Sequence, residues 1–300
     1  MLLENALEKC NLCPHKCNIN RINGEIGRCR AGKNVKIALA KLHFYEEPSI
    51  SGENGSGTVF FTGCNLSCKF CQNYKISQEQ LGKEIEIEEL ANEFLRLQNL
   101  NANNINLVTG VMYIPQIIEA IKIAKENGLK IPIVYNSSGY ENVEAIKLLD
   151  GYIDVYLPDL KYYDNELGFR LSGIKEYFEN ATYAIEEMYK QVGIPEFDEN
   201  GLIKKGVIIR HLVLPNHLEN SKKVFSWIKE KFDKNVLVSV MAQYFPSNKA
   251  RFESDINRKL NQEEYDEIES FIFDLDIDGY MQDLEENEEQ YVPDFEGKNG

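Results

Sequence analysis

The sequence predicts an α/β fold, and two observations lead to this class. Short runs rich in β-branched residues alternate with longer amphipathic stretches along most of the 300 residues, which is the pattern of repeated β-α units around a parallel sheet. Six such runs are present, too few for a closed eight-stranded barrel but enough for an open one. We therefore expect a partial, TIM-like (β/α)6 barrel with a small N-terminal four-cysteine metal-binding knot and an acidic C-terminal segment.

The elements of this barrel follow one another along the chain. Strands are predicted at residues 58–63, 105–110, 131–137, 153–160, 206–214 and 235–244. Helices are predicted at residues 87–100, 115–128, 141–150, 175–193 and 218–232, with a last one at about 262–273. The second helix shows the basis of these assignments, since Pro115 stands in its first turn and Gly128 at its end, positions that suit those two residues.

Three units are expected along the chain. They are the knot and a lid over residues 1–50, the barrel over 51–260, and an acidic helix and tail over 261–300. In the first unit, His43, Glu46 and Glu47 would form either a lid before the first strand or a plain polar loop.

The net charge of −15 is concentrated near the C-terminal end. Residues 261–300 hold 15 of the 48 acidic and one of the 33 basic residues, so we expect a solvated tail, or else a docking tail for a partner. The nearly neutral remainder argues against an extended phosphate-binding surface, and we expect no nucleic-acid partner. Because the chain shows neither a long apolar run nor a signal peptide, we also expect no membrane span and a cytoplasmic location.

Three cysteines stand within eight residues, directly after the first predicted strand. They are Cys64, Cys68 and Cys71 of the stretch CNLSCKFC. This position puts them at the mouth of the barrel, where such folds carry their chemistry. Structural cysteines, a zinc ion with a fourth ligand from elsewhere, and a [4Fe–4S] cluster with one open iron are the three interpretations. The tight spacing favours the cluster, whose open iron can chelate a small molecule through an amino and a carboxylate group.

The spacing C-x3-C-x2-C, with the aromatic Phe70 before the third cysteine, resembles the signature of the radical S-adenosylmethionine (SAM) superfamily. The resemblance implies that SAM binds the open iron, that one electron splits it into methionine and a 5′-deoxyadenosyl radical, and that this radical abstracts a hydrogen atom. The stretches YNSSGYE, YLPDLKY, IIRHLVLPNH and VMAQYFP are similar to a branch related to pyruvate formate-lyase-activating enzymes. The similarity covers about residues 10–245.

A second group of cysteines lies nearer the start of the chain. Its members are Cys10, Cys13, Cys17 and Cys29. With Pro14, Gly24 and Gly27 available for turns, four thiols form a complete tetrahedral ligand set. A structural zinc ion and an auxiliary iron–sulfur cluster both fit this set. His15 is either a fifth candidate ligand or a surface residue.

The resemblance also implies residues that would hold SAM at the ends of the second and third strands. Where many superfamily members carry a Gly-Gly-Glu-Pro stretch, this chain has LVTGVMY, which leaves Thr109 and Gly110 for contacts through the backbone. Asn136 and Ser137 would be polar contacts on the third strand, or part of a local turn.

Three further strand ends carry candidate SAM contacts. Asp159 and Lys161 share one face of an extended chain, and activating enzymes have a similar Asp-x-Lys stretch near the SAM carboxylate. They would act on that carboxylate, or form an ordinary ion pair. Arg210 matches an arginine that approaches SAM in those enzymes, and its planar fork suits a carboxylate. Gln243 and Tyr244 stand where the activating enzymes have a histidine that lines the adenosyl pocket.

The sequence therefore predicts a radical SAM enzyme that requires SAM, a [4Fe–4S] cluster and a reductant such as flavodoxin or ferredoxin. The resemblance leaves two substrates open, a glycine in a glycyl radical protein and a small molecule. An alternative from another class is a non-catalytic iron–sulfur protein that senses metal or redox state.

Overall fold

The computed structural model describes residues 2–284, together with residues 293 and 295. The strands are β1 Val35–His43, β2 Ser56–Phe61, β3 Lys83–Ile85, β4 Ile105–Val108, β5 Ile133–Ser137, β6 Val155–Pro158, β7 Glu196–Phe197, β8 Ile203–Leu212, β9 Leu237–Met241 and β10 Gly279–Met281. The helices are α1 Leu2–Glu8, α2 Pro48–Ser51, α3 Tyr74–Ser77, α4 Ile87–Asn99, α5 Ile114–Glu126, α6 Val143–Lys147, α7 Asn165–Ser172, α8 Tyr177–Val192, α9 Leu218–Phe232 and α10 Gln262–Leu275. Most of the expected acidic tail, from residue 285 onward, lies outside the described residues.

The six predicted strands all form and pair in parallel within one sheet, in the order β2, β4, β5, β6, β8 and β9. The connections between successive parallel strands carry the predicted helices α4, α5, α6, α8 and α9, as parallel pairing requires a crossover. The sheet does not close on itself, because β3 and β10 lie at its two ends. The predicted α/β fold, a partial TIM-like barrel, is thus confirmed.

Both ends of the sheet extend beyond the six predicted strands. On one side β1 pairs antiparallel with β2, and β3 pairs with β1. On the other side β10 pairs parallel with β9. Sheet pairing therefore continues across the predicted limits at residues 50 and 260, and the three-unit division stays a prediction. Within the described residues, no helix combines the length and apolar character that a membrane span needs.

The interior of the barrel is closed at the end where the strands begin. His43 pairs with Ser56 at the start of β2, so the segment that leaves β1 lies at this end. The backbone oxygen of Ile50 accepts a hydrogen bond of 2.8 Å from the Asn104 side chain, just before β4. Ile50 is fully buried with apolar side chains of the inner sheet face, such as Val134. The open space therefore lies toward the other end, where the parallel strands finish.

Candidate active site

The loop after β2 brings three thiols together. The Leu66 amide donates to Cys64 Sγ at 3.3 Å, and the Cys71 amide donates to the Cys68 carbonyl oxygen at 3.2 Å. The Ser172 hydroxyl donates to Cys68 Sγ at 3.0 Å. Such donors favour the thiolate form that binds metal.

Helix α7 holds this loop in place. The Ser67 amide donates to the Ser172 carbonyl oxygen at 3.0 Å, and the Lys69 amide donates to that of Leu171 at 2.8 Å. The last turn of α7 therefore provides the acceptors that fix the backbone between the cysteines. This helix was absent from the sequence-based prediction, so its role in supporting the thiols was missed as well.

A signal for α7 is nevertheless present in the stretch DNELGFRLSG. The Asp164 carboxylate accepts a hydrogen bond of 2.8 Å from the Glu166 amide, which is the usual arrangement at a helix start. Gly173 ends the helix with a left-handed φ of 69°, a conformation that glycine adopts without strain. An acidic cap and a terminal glycine nine residues apart could have indicated a short helix.

Burial shapes the protonation of the three thiols. It raises the pKa of Cys71 to about 11, and the other two thiols are shifted in the same direction. Lys161 opposes the shift at Cys68. Buried thiolates therefore need a bound cation, and three thiols on one loop, supported by N–H and O–H donors, fit the three protein ligands of a [4Fe–4S] cluster. Within the described part of the chain, no three His, Cys, Asp or Glu side chains form a ready-made site for a single metal ion.

A cavity of about 830 Å³ opens beside the thiols, within the range of small-molecule sites, roughly 300–1,000 Å³. Many of the residues predicted from sequence line it. They are Cys68, Phe70, Cys71, Asn136, Asp159, Lys161, Arg210 and Gln243. The structure thus brings candidate residues from the thiol loop and from four strand ends to one space.

Three other candidates do not line this cavity. Ser137 follows Asn136 on β5, and because side chains alternate along a strand it faces the helices, where its hydroxyl accepts from the Gly139 amide at 3.2 Å. A Cβ atom at Gly110 would lie 2.7 Å from the Ile117 side chain, so this glycine faces α5. Thr109 has a left-handed φ of 60° and its amide donates to the Asn136 carbonyl oxygen at 2.8 Å.

An ion-pair network crosses the cavity wall. Arg210 donates from Nε to Asp159 Oδ1 at 2.9 Å, from Nη1 to Glu46 Oε2 at 3.1 Å and from Nη2 to Asn136 Oδ1 at 2.6 Å. The guanidinium therefore joins three elements, and three of its five donors are already used. Such a residue holds the wall of the site together.

Lys161 stands between this network and the thiol loop. Its ammonium group lies 2.5 Å from Asp159 Oδ2. Burial tends to raise the pKa of Asp159, but Lys161 and Arg210 outweigh it and lower that pKa. For Lys161, burial lowers the pKa while Asp159 and Cys68 raise it, and the net result is an increase. Lys161 is therefore a positive charge beside the thiols.

Glu46 and Glu47 lie at the floor of the cavity, at the closed end of the barrel, instead of over its mouth. Glu46 Oε1 accepts a hydrogen bond of 3.0 Å from the Asn106 amide group, and both glutamates line the cavity. His43 ends β1 and is buried against Phe60, with 6.0 Å between the ring centroids, and burial lowers the pKa of His43 to about 4. A lid and a polar loop were therefore both wrong. The polar Asn106 inside the apolar strand INLV was the signal that could have revealed a buried partner.

Phe70 and the last predicted strand end meet on the opposite side of the cavity. Phe70 packs edge-on against Tyr244, with ring centroids 6.0 Å apart. The Tyr244 hydroxyl donates to the Ile256 carbonyl oxygen, so this ring is fixed in the core. Gln243 Oε1 accepts from the Gln282 side chain at 3.0 Å, which ties β9 to the residue after β10.

The four-cysteine knot is a compact loop with its thiols close together. The Cys10 amide donates to the Ile19 carbonyl oxygen, and the Asn18 amide returns a bond to that of Cys10, both at 2.9 Å. Burial is the main cause that raises the pKa of Cys13 to about 12. A hydrogen bond from the His15 amide lowers this pKa, and the charges of the other three thiols raise it. Thiols are the ligand type that both zinc and an iron–sulfur cluster take, although among the described residues these four are not arranged as a ready site for a single ion.

The knot packs directly on the thiol loop. His15 Nε2 lies 2.8 Å from the Asn65 carbonyl oxygen, between the first two cysteines of that loop. A Cβ atom at Gly63 would lie 2.6 Å from the Cys29 carbonyl oxygen, so only glycine allows this close approach. His15 is thus half-buried and bonded to the loop, which argues against a free surface position.

Comparisons with known proteins agree with this geometry. The family model described as the Radical SAM superfamily matches residues 58–228. An uncharacterized protein from Methanocaldococcus jannaschii is 37% identical over 88% of this chain and 74% of its own length. The pyruvate formate-lyase-activating enzyme of Clostridium pasteurianum is 28% identical over 64% of this chain and 78% of its own length.

A solved structure shows the same fold. Coproporphyrinogen III oxidase from Escherichia coli, described as a radical SAM enzyme, matches with a TM-score of 0.50 at 13% identity. The match covers 71% of this chain and 50% of the oxidase, so the chain spans half the length of that protein. Together with the family model, which covers more than half of the residues, these findings show that the chain belongs to the radical SAM superfamily.

Proposed function

We propose that this radical SAM enzyme binds SAM in the cavity next to Cys64, Cys68 and Cys71, and that these thiols hold a [4Fe–4S] cluster. The cluster would supply the electron that splits SAM into methionine and a 5′-deoxyadenosyl radical for hydrogen abstraction. The observation that carries this proposal is the set of three thiols on one loop, two of which line a cavity of about 830 Å³ that also contains Lys161.

The wall residues then have separate tasks. Lys161 would neutralise the SAM carboxylate, and Asp159, 2.5 Å from its ammonium group, would orient it. Arg210 would position Asp159 and Asn136, to which it already donates.

The remaining candidates would contact SAM in other ways. Phe70 and Gln243 would border its adenosyl part from the loop and from the end of β9. Thr109 and Gly110 would contribute through their backbone, as the resemblance implies, and this would require SAM to reach beyond the residues that line the cavity. Ser137 would act through the backbone of β5, since its side chain faces the helices.

Two substrates remain candidates. Activation of a glycyl radical protein is supported by the similarity to a pyruvate formate-lyase-activating enzyme. A small molecule is supported by the depth of the cavity, which extends from the thiols to Glu46 and Glu47 at the closed end of the barrel. A side chain of a folded partner would leave this deep part unused, so the cavity favours the small molecule.

An acidic electron carrier such as flavodoxin or ferredoxin suits the surroundings of the thiol loop. Apart from the buried Arg21, residues 9–33 contain five basic and one acidic side chain, residues 64–78 two and none, and residues 247–259 four and two. These segments contact one another, since Arg28 donates to Ser67 at 3.4 Å and the Lys249 amide to the Lys69 carbonyl oxygen at 2.8 Å. A basic collar on a chain of net charge −15 would guide an acidic partner to the loop.

The knot would hold a second metal centre, either zinc or an auxiliary iron–sulfur cluster. Both are consistent with four thiols, and metal analysis of the anaerobically purified chain would separate them. One zinc per chain would identify a structural site, whereas iron and sulfide beyond one cluster would identify an auxiliary cluster.

The test of the proposed function is anaerobic reconstitution of the full chain with iron and sulfide, followed by dithionite and SAM. We expect 5′-deoxyadenosine, measured by mass spectrometry. A chain that carries a complete cluster and yields none would instead support the non-catalytic, metal- or redox-sensing alternative.

A further inference from the structure

The floor of the cavity contains more negative than positive charge. The carboxylates are Glu46, Glu47 and Asp159, and the cations are Arg210 and Lys161. Asp159 pairs with both cations, and Glu46 takes a further donor of Arg210. Among the described residues, no cation lies within ion-pair distance of Glu47, although this side chain is 9% exposed. Arg210 acts on Glu47 only from beyond ion-pair distance, and it already pairs with Glu46 and Asp159. A buried carboxylate without a close cation is costly, so a further counter-charge is indicated.

Two buried atoms at this floor also have no hydrogen-bond partner. They are Glu47 Oε2 and Asn106 Oδ1. The orientation of the Asn106 amide is set by Glu46, since its Nδ2 donates to that carboxylate at 3.0 Å. Both unpaired atoms are therefore acceptors. Because buried polar groups are nearly always paired, the group that completes this site is a hydrogen-bond donor.

We propose that the floor binds a protonated nitrogen, an ammonium or guanidinium group, of a small-molecule substrate, with Glu47 as its counter-charge. The inference rests on the proposed function, because it names the substrate class of the same cavity. A cation supplies both things that the floor lacks, a positive charge and N–H donors. A neutral amide, such as the backbone around a glycine, supplies only the donors.

With the cavity free, the pKa of Glu47 is raised above its usual value. Burial is the main cause that raises the pKa of Glu47, and the charge of Glu46 adds to it. Arg210 on β8 and the Ser239 hydroxyl on β9 act in the opposite direction. Binding of a cation would favour the ionised carboxylate, so the proton on Glu47 would be released to solvent.

The chain offers a matched control. Glu141 is also buried, at 1% exposure, and its Oε2 atom also lacks a partner. It lies on the helix side of β5, where its other oxygen accepts from the Tyr135 hydroxyl at 3.3 Å, and it does not line the cavity. Glu141→Gln therefore removes an equivalent buried carboxyl group outside the proposed site.

The experiment is isothermal titration calorimetry on the full, cluster-loaded chain with SAM, under anaerobic conditions. The probes are butylguanidinium, butylammonium, the neutral butylurea and the anionic butyrate. We expect at least one of the two cations to bind at least tenfold more tightly than butylurea, and butyrate not to bind. Glu47→Gln should remove this preference, and Glu141→Gln should retain it. Equal affinity for cations and butylurea, or an unchanged preference in Glu47→Gln, would overturn the assignment.

A second measurement needs no variant. Titration of the wild type at several pH values, in two buffers of different ionisation enthalpy, should show release of protons when the cation binds, because binding lowers the raised pKa of Glu47. No release at any of these pH values would contradict the exchange. The same preparation is assayed for 5′-deoxyadenosine. Product without cation preference would overturn the floor assignment alone, whereas cation preference without product would overturn the proposed function alone.

Discussion

The two cysteine groups of this chain lie in contact with each other, yet they differ in the number of thiols and in their position relative to the cavity. The knot, with Cys10, Cys13, Cys17 and Cys29, has four thiols and does not line the cavity. The thiol loop, with Cys64, Cys68 and Cys71, has three thiols, and two of them face the cavity beside Lys161. Four protein ligands close a metal site, while three leave a position for a ligand from outside. The difference of one thiol therefore separates a structural or auxiliary centre from a candidate catalytic one.

The largest effect is expected when one thiol of the loop is removed. Cys68→Ala removes one of three ligands, and we expect 5′-deoxyadenosine to fall below detection, as measured by mass spectrometry. Metal at the knot should remain, because its four thiols are unchanged. If both metals are lost together, the two cysteine groups form one site, which would contradict the assignment of two separate sites.

The next largest effect is expected at Lys161, whose positive charge lies beside the loop but not beside the knot. Lys161→Met removes the ammonium group that lies next to Asp159 and Cys68. We expect the affinity for SAM to fall about 10- to 100-fold, the range for a hydrogen bond to a charged group, as measured by equilibrium binding. The exposed Lys122, paired with Glu119 at 2.8 Å, provides the control Lys122→Met. Equal losses in the two variants would show that Lys161 has no special role.

A smaller effect on product is expected from the knot. Cys13→Ala should lower the metal content of the chain and its melting temperature by at least about 5 °C, because a structural metal contributes to folding. Product formation should stay within about tenfold of the wild type, because the loop keeps its three thiols. Complete loss of product from a folded variant with a loaded loop would instead show that the knot takes part in the reaction.

The last prediction concerns stability and the buried carboxyl group of Glu141, which lies beside the contact between knot and barrel. Burial raises the pKa of Glu141 to about 8 from its usual 4.5, and the next side chain, Asn142, donates to the Cys13 carbonyl oxygen at 3.1 Å. A raised folded pKa stabilises the protein fully below about pH 4.5, and this contribution is lost as the pH rises toward 8. In Glu141→Gln the free energy of unfolding should lose this dependence, worth about 3 kcal/mol, as measured by denaturant titration from pH 5 to 8. An unchanged pH dependence would contradict the buried carboxyl.

Local spacing was sufficient to predict part of this molecule. The six parallel strands follow from runs of β-branched residues, and the two cysteine groups are contiguous in sequence. Asp159, Lys161 and Arg210 were predicted from the resemblance to activating enzymes, and all three line the cavity. Alternation along β5 could also have separated Asn136, which faces the cavity, from Ser137, which does not.

Other features depend on tertiary contacts that spacing does not encode. Strand β10 has three residues, too few for a recognisable alternation. It is held in place by parallel pairing with the outer edge of β9. Glu46 and Glu47 are charged residues in a loop, which normally indicates exposure. Glu46 is buried because Arg210 and Asn106 bind it inside the barrel, and those partners lie far away in sequence.

We infer that the loop leaves one metal position open for SAM, whereas the knot does not. Electron paramagnetic resonance of the dithionite-reduced Cys13→Ala variant, loaded only at the loop, tests it most directly. We predict that added SAM changes the signal of the reduced cluster, because SAM becomes a ligand of its open iron. A spectrum that stays the same at saturating SAM would contradict the account.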